Sequence, residues 1–333
     1  MKKNFLLPVV SFLAFANAAM AQTSDFKPSG KPIVKVFGDY FYNSQNSKSN
    51  TGFEIQRAYL GYGYNFTEKF SGKALLDVGN NTGGSAYTAF LKNALVEYKD
   101  NLFTIDAGLI GTDAFSLQES VWGKRYLQKS FQDLNGFSSS ADLGASLKVK
   151  ISPVFSLDAS VLNGEGYKSI QADSTLKVTA GLTVQPIKGL TARVYTDYLK
   201  NNKNIKPAGK AQTSFNAFLG YVGAKASVGA EYNYQKNSGL TSGKDLTGIS
   251  VYGTAEVAPK TNVFARFDNL SSKDDVNASA ATLGKNDGNL LIAGLEYTLT
   301  KGIRVSPNIQ LYNPKKDGAK NLTSFYLNFE MGF

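Results

Sequence analysis

The side chains able to do chemistry in this chain are carboxylates, lysines, arginines, hydroxyls and phenols, because it contains no His and no Cys. That removes Ser-His nucleophile pairs, imidazole zinc sites and the usual general base near neutral pH. No Gly-x-Ser-x-Gly turn or paired-carboxylate motif stands out as a replacement. The charged residues are nevertheless regularly placed. Lys73, Asp77, Asp106, Asp142, Lys148, Asp158, Lys177, Arg193, Asp197, Glu231, Arg266, Asp268 and Arg304 all fall on the polar phase of alternating segments. They would be costly in a dry core or in lipid, and they stay hydrated around water. Arg57, Lys73, Arg193, Arg266 and Arg304 lie on the same phase of separate segments, so a basic stripe could steer anions through its long-range field. The other reading is plain solvation, since Asp77, Asp197 and Asp268 share that phase and leave at most a weak anion preference.

A second constellation sits in the longest interruption of the pattern, Gly111 to Ser138. It holds the only Trp, Trp122, and enough apolar residues to fold against something. Its acids Asp113, Glu119 and Asp133 balance the bases Lys124, Arg125 and Lys129. Segments this long inside a compact protein are usually functional.

The elements that must position these groups are strands. Phe155, Leu157, Ala159 and Val161 alternate with Ser156, Asp158 and Ser160, and Leu176, Val178, Ala180, Leu182 and Val184 alternate with polar or small residues. The same period of two runs through 226–234 and 303–311, where a helix would space its apolar residues three and four apart. Connections alternate in length. Short turns are expected at Asn65–Lys69, Lys99–Asn101, Ser152–Val154, Pro186–Gly189, Val222–Gly223, Ala258–Thr261 and Thr298–Gly302. Long loops are expected at Asn43–Thr51, Gly79–Ala86, Gly111–Ser138, Asn163–Ser174, Lys200–Ala211, Gln235–Thr247, Asn269–Gly288 and Asn313–Asn321. They separate 16 strands and put both chain ends on the short-turn side. The apolar phase slips by one residue near Gln56 and again near Asn93, which predicts a β-bulge at each.

These strands have a membrane signature. Met1, Lys2 and Lys3, the apolar run to Phe15 and the small-x-small site Ala19-Met20-Ala21 predict a signal peptide over 1–21, leaving 22–333 as the barrel domain. No later apolar run approaches the roughly 18 residues a membrane helix needs. Phe70, Phe103, Phe155, Tyr62, Tyr64, Tyr98, Tyr221, Tyr297 and Phe333 gather at the short-turn ends of strands, and Tyr40, Tyr42, Tyr198, Tyr232, Tyr234 and Tyr312 at the opposite ends. Two bands of amphipathic rings fit the two interfaces of a bilayer. Lipid cannot satisfy backbone hydrogen bonds, so the strands must close. A barrel of about 16 strands is too wide to be filled by side chains. The expected fold is therefore all-β, a 16-stranded antiparallel transmembrane β-barrel with short periplasmic turns and long outer loops. The last strand alternates through Phe325, Leu327, Phe329 and Met331 to a terminal Phe333, which resembles the terminal signal of bacterial outer-membrane proteins.

On Phe53-Glu54-Ile55-Gln56-Arg57 and the Gly108–Ser130 region, with the architecture of the whole mature chain, the sequence resembles the bacterial porin superfamily, closest to the phosphate-selective porin O and P type. The resemblance implies that the third long loop folds into the lumen and narrows it. Glu119, Trp122, Lys124 and Arg125 would then line the constriction, or Glu119 and Arg125 would pair with the wall and hold the loop. It further implies passive diffusion of small hydrophilic solutes or anions across the bacterial outer membrane, commonly as a homotrimer embedded in outer-membrane lipid. No cofactor, metal, enzymatic activity or nucleic-acid partner is expected, because the basic residues are dispersed and the catalytic repertoire is thin. The alternative is a surface barrel acting as an adhesin or structural protein through loops such as Lys200–Ala211 and Asn269–Gly288.

Overall fold

The computed structural model of the protein describes residues 26–45, 48–80, 86–273, 287–315 and 319–333. The expected leader over 1–21 lies outside the described residues, as do parts of the Gly79–Ala86, Asn269–Gly288 and Asn313–Asn321 loops. The first strands are β1 (Ser29–Gln45), β2 (Lys48–Asn65), β3 (Phe70–Asn80), β4 (Tyr87–Lys99) and β5 (Phe103–Gly111). A long loop, L3, follows with two short helices, α1 (Ser116–Trp122) and α2 (Phe131–Leu134). Then come β6 (Ala141–Lys150), β7 (Phe155–Leu162), β8 (Lys177–Ile187), β9 (Leu190–Leu199), β10 (Gln212–Val222) and β11 (Ala226–Lys236). The chain ends with β12 (Asp245–Ala258), β13 (Thr261–Lys273), β14 (Gly288–Thr300), β15 (Ile303–Pro314) and β16 (Leu322–Gly332).

Every strand pairs antiparallel with its chain neighbours, and β1 returns to β16 to close the barrel. The terminal Phe333 seals the seam, its amide and carbonyl both bonding to Val34 at 3.1 and 3.2 Å. No open edge remains, as a lipid-facing sheet requires.

The wall is inverted relative to a water-soluble protein. Leu60, Leu76, Val96, Ile105, Leu147, Val194, Leu219, Val251, Leu291 and Leu327 are exposed on the outside, while Asp39, Asp77, Asn93, Arg193, Asp197, Glu231, Arg266 and Asp268 are buried on the inside. An apolar exterior of this extent needs an apolar solvent. The ring bands are present too. At the short-turn end Tyr62 stacks on Tyr64 at 6.5 Å and Phe70 meets Tyr98 at 5.1 Å. At the other end Tyr40 meets Phe53 at 5.0 Å and Tyr42 meets Phe325 at 6.4 Å.

Both phase slips are bulges. In β2, Phe37 pairs with Arg57 and Gly38 with Ile55, which leaves Gln56 as the extra residue. In β4, Leu75 pairs with Asn93 and Leu76 with Leu91, which leaves Lys92. The expected long loop at Asn43–Thr51 requires a correction. β1 and β2 stay paired through Asn43 opposite Asn50 to Gln45 opposite Lys48. Polar composition there marks a hairpin that has left the lipid, since backbone pairing continues where the apolar phase has ended.

Candidate functional site

L3 crosses the lumen instead of extending outward. Three apolar seams hold it. Val121, Trp122, Tyr126 and Leu127 pack with the inward-facing Phe37, Phe218, Tyr252, Phe264 and Ile292. Phe131 and Phe137 pack with Leu246 and Leu270, and Ala114 and Phe115 with Tyr195. Trp122 is 1% exposed, lies edge-on to Tyr252 and Phe264, and donates from its indole nitrogen to the Gln128 carbonyl at 3.0 Å. Gly123 ends α1 with φ 63°, a left-handed conformation that glycine adopts without strain.

Polar anchors flank the seams. The Tyr252 hydroxyl donates to the Gln118 carbonyl at 2.9 Å, and Gln235 donates to the Phe137 carbonyl at 2.7 Å. Arg266 lies 5.1 Å over the Trp122 ring, grips Asp268 at 2.6 Å and donates to the Lys129 carbonyl. At the loop's start, Arg193 holds Asp158 through two hydrogen bonds, at 2.6 and 2.9 Å, and donates to the Asp113 carbonyl at 3.1 Å. The Asp113 carboxylate pairs with Lys148 at 2.8 Å, and burial raises its pKa above the ordinary carboxylate value despite that lysine. Across the barrel, Tyr126 donates to Glu296 at 2.8 Å and also meets the Ser306 hydroxyl. Glu296 further receives Lys124 at 3.5 Å and Arg304 at 3.1 Å, and Arg304 continues to Glu330 at 2.6 Å. Burial, with Glu296 alongside, raises the Tyr126 phenol pKa, so the hydroxyl keeps its proton and donates.

The loop is therefore held by β1, β6 and β8–β16, while Lys129 on its remaining edge comes near Arg57 of β2. That edge carries Glu119 and Arg125, 3.5 Å apart, then Arg125 to Asp133 at 3.1 Å and Lys129 to Asp133 at 3.5 Å. The facing wall carries Arg57, paired with Asp77 at 2.8 Å, together with Lys73 and Lys92. Burial, followed by the nearby cations Arg125, Arg57 and Lys168, lowers the Lys129 pKa against the pull of Asp133. The cations of loop edge and wall thus share one space.

The nine candidate residues divide in two. Arg57, Lys73, Glu119 and Arg125 lie in the lumen outside the loop–wall seams, and Glu119 and Arg125 pair with each other rather than with the barrel wall. Trp122, Lys124, Arg193 and Arg266 are instead each buried between loop and wall as an anchor. Arg304 is half-buried and joins Glu296 to Glu330 beneath the loop. Sequence phase tells which side of the wall a residue faces, but not which part of that side a loop later covers. Missed altogether were Lys92 and the inward aromatics Phe37, Tyr59, Phe218, Tyr252 and Phe264. The rings had a signal: each of the five breaks the alternation by placing a large side chain on the polar phase.

The sequence matches no protein-family model and no curated protein. Solved structures share the fold. OprB of Pseudomonas putida superposes with a TM-score of 0.70 at 11% identity, covering 91% of this chain and 94% of its own. An anion-selective porin from Comamonas acidovorans gives 0.69 at 11% identity, covering 92% and 100%. OmpF of Salmonella typhi, in complex with daunomycin, gives 0.65 at 12% identity, covering 91% and 97%. At such identities the likeness is one of architecture, and that architecture is the closed outer-membrane barrel of the porin type.

Proposed function

We propose that the protein is an outer-membrane porin, a water-filled channel through which small hydrophilic solutes diffuse passively with a preference for anions. The observation that carries this reading is the two-sided closed wall, apolar outside and charged inside, with L3 docked across part of its lumen. A channel turns nothing over; its selectivity is set by the width left beside L3 and by the field across it. Arg57, Lys73, Arg125 and Lys129 stand among the acids Asp77, Glu97, Asp106, Glu119 and Asp133, so the anion preference is supported by Lys92 and Lys168, which form no ion pair among the described residues. The likeness to a porin described as anion-selective points the same way. The expected leader fits export, and assembly as a homotrimer in outer-membrane lipid fits the exposed apolar belt. Kinship to the phosphate-selective O and P type would rest on this same cationic passage and on the Phe53–Arg57 strand.

Planar-bilayer recording of the purified protein is the test. Stable open steps, with a reversal potential in a potassium chloride gradient displaced toward chloride, are expected. Absence of steps rejects the channel, and displacement toward potassium rejects the anion preference.

A further inference from the structure

The β4 bulge has a chemical result. In regular β4 pairing Asn93 faces the lumen and its neighbour would face lipid. The extra residue at the bulge lets Lys92 turn inward as well, where its ammonium lies 4.8 Å over the Tyr59 ring and 3.4 Å from the Tyr59 hydroxyl. The loop between β7 and β8 supplies a second cation. Its Tyr167 is tied down by its backbone N–H, which donates a hydrogen bond to the Ala141 carbonyl at 3.0 Å, and by its hydroxyl, which donates to Asp77, so the loop bends in over the wall. Lys168 then lies 5.0 Å over Phe90 and 5.7 Å from Tyr167, while Lys92 approaches Tyr167 at 5.3 Å. Phe90 and Tyr167 meet edge to face at 6.5 Å.

Among the described residues neither Lys92 nor Lys168 forms an ion pair; both rest on rings. A ring face attracts an ammonium without cancelling its charge. The two positive charges are therefore available to a passing anion, beside an apolar aromatic surface.

We propose that Lys92 and Lys168, with Tyr59, Phe90 and Tyr167, form a capture site for small organic carboxylates that carry a planar ring. An inorganic anion arriving here gains only the charge and gives up part of its hydration. A ring-bearing carboxylate gains the charge and in addition lays its ring against Phe90 and Tyr167. The site rests on the channel reading, because its ligands reach it through the lumen.

The experiment is chloride conductance across planar bilayers with benzoate, acetate or inorganic phosphate added to one side. Benzoate is expected to reduce the current at concentrations roughly threefold or more below those of acetate and phosphate. K92Q and K168Q should each raise the benzoate concentration needed, and Y167L should erase the difference between benzoate and acetate. Lys168 lies on an exposed loop, so K168Q reads the charge without disturbing the barrel. Open steps with equal effects of benzoate and acetate, or with K168Q and K92Q both unchanged, would overturn the site while leaving the channel intact. Block by phosphate at lower concentrations than benzoate would assign these lysines to inorganic anions and overturn it too. Absence of open steps would remove both readings together.

Discussion

The Tyr126 hydroxyl donates to the Glu296 carboxylate at 2.8 Å, joining the middle of L3 to the far wall of the barrel. The junction coincides with a gap in the β14–β15 ladder. Pairing runs to Gly294 opposite Asn308 and resumes at Tyr297 opposite Val305, and Pro307, which has no amide hydrogen, lies inside the interruption. Glu296 and Ser306 face the lumen there, and Tyr126 takes up both. A hydrogen bond to a buried charge contributes about 1.5–3 kcal/mol. Tyr126→Phe should therefore loosen the loop without unfolding the barrel. Trypsin cleavage after Lys124, Arg125 or Lys129 should accelerate, and single-channel current should become noisier. Unaltered cleavage and noise would mean that the apolar seams alone fix the loop.

Those seams have their own test. Trp122→Ala removes the largest buried side chain between loop and wall, and such truncations cost about 3–5 kcal/mol. Most of that loss should appear as undocking of L3, because the strand ladder does not include Trp122. Conductance should rise while the heat-resistant mobility of the barrel on gels persists. A smaller or unchanged conductance would show that L3 does not narrow the passage.

Border residues and anchors should separate cleanly. Arg57→Glu and Lys73→Glu place a negative charge where cations face the remaining edge of L3, so each should displace the reversal potential toward cations. Arg266→Gln acts differently. It removes a buried charge held by Asp268 and the Lys129 carbonyl, and breaking such a pair costs about 3–5 kcal/mol. Thermal stability should fall more than selectivity changes. Equal displacement of the reversal potential by all three variants would contradict the division between passage and anchor.

How much of this was legible in the sequence depended on whether the signal was periodic. Strand alternation, turn lengths and ring bands are periodic, and the Gln56 and Asn93 slips were visible as breaks in that period. The direction in which L3 folds is not periodic. It depends on Phe218, Tyr252 and Phe264 lying on the inner phase of three adjacent or near-adjacent strands, a relation between segments far apart in the chain. The burial of Lys124, Arg193 and Arg266 was hidden for the same reason, since each follows from what L3 covers. Lys92 was missed more narrowly: the slip was seen, but not that a bulge turns two consecutive side chains to one side.

The alkaline limb of selectivity offers a last test, because two loop lysines titrate early. Burial, then Arg125, Arg57 and Lys168, holds Lys129 below its ordinary 10.5 against Asp133. Burial and Arg304 do the same to Lys124 against Glu296. As pH rises, Lys129 therefore loses its charge before an ordinary lysine would, and anion preference should begin to decline below the ordinary lysine value of 10.5. The effect on docking has the opposite sign. A lysine whose pKa is depressed in the docked loop binds its proton more tightly when the loop is free, so these two groups favour docking above 10.5. That contribution is lost as pH falls through the depressed values. Reversal potential and current noise recorded together against pH distinguish the two effects. Selectivity should decline while noise stays level or falls, and a decline accompanied by rising noise would show the loop leaving the wall instead of Lys129 losing its proton.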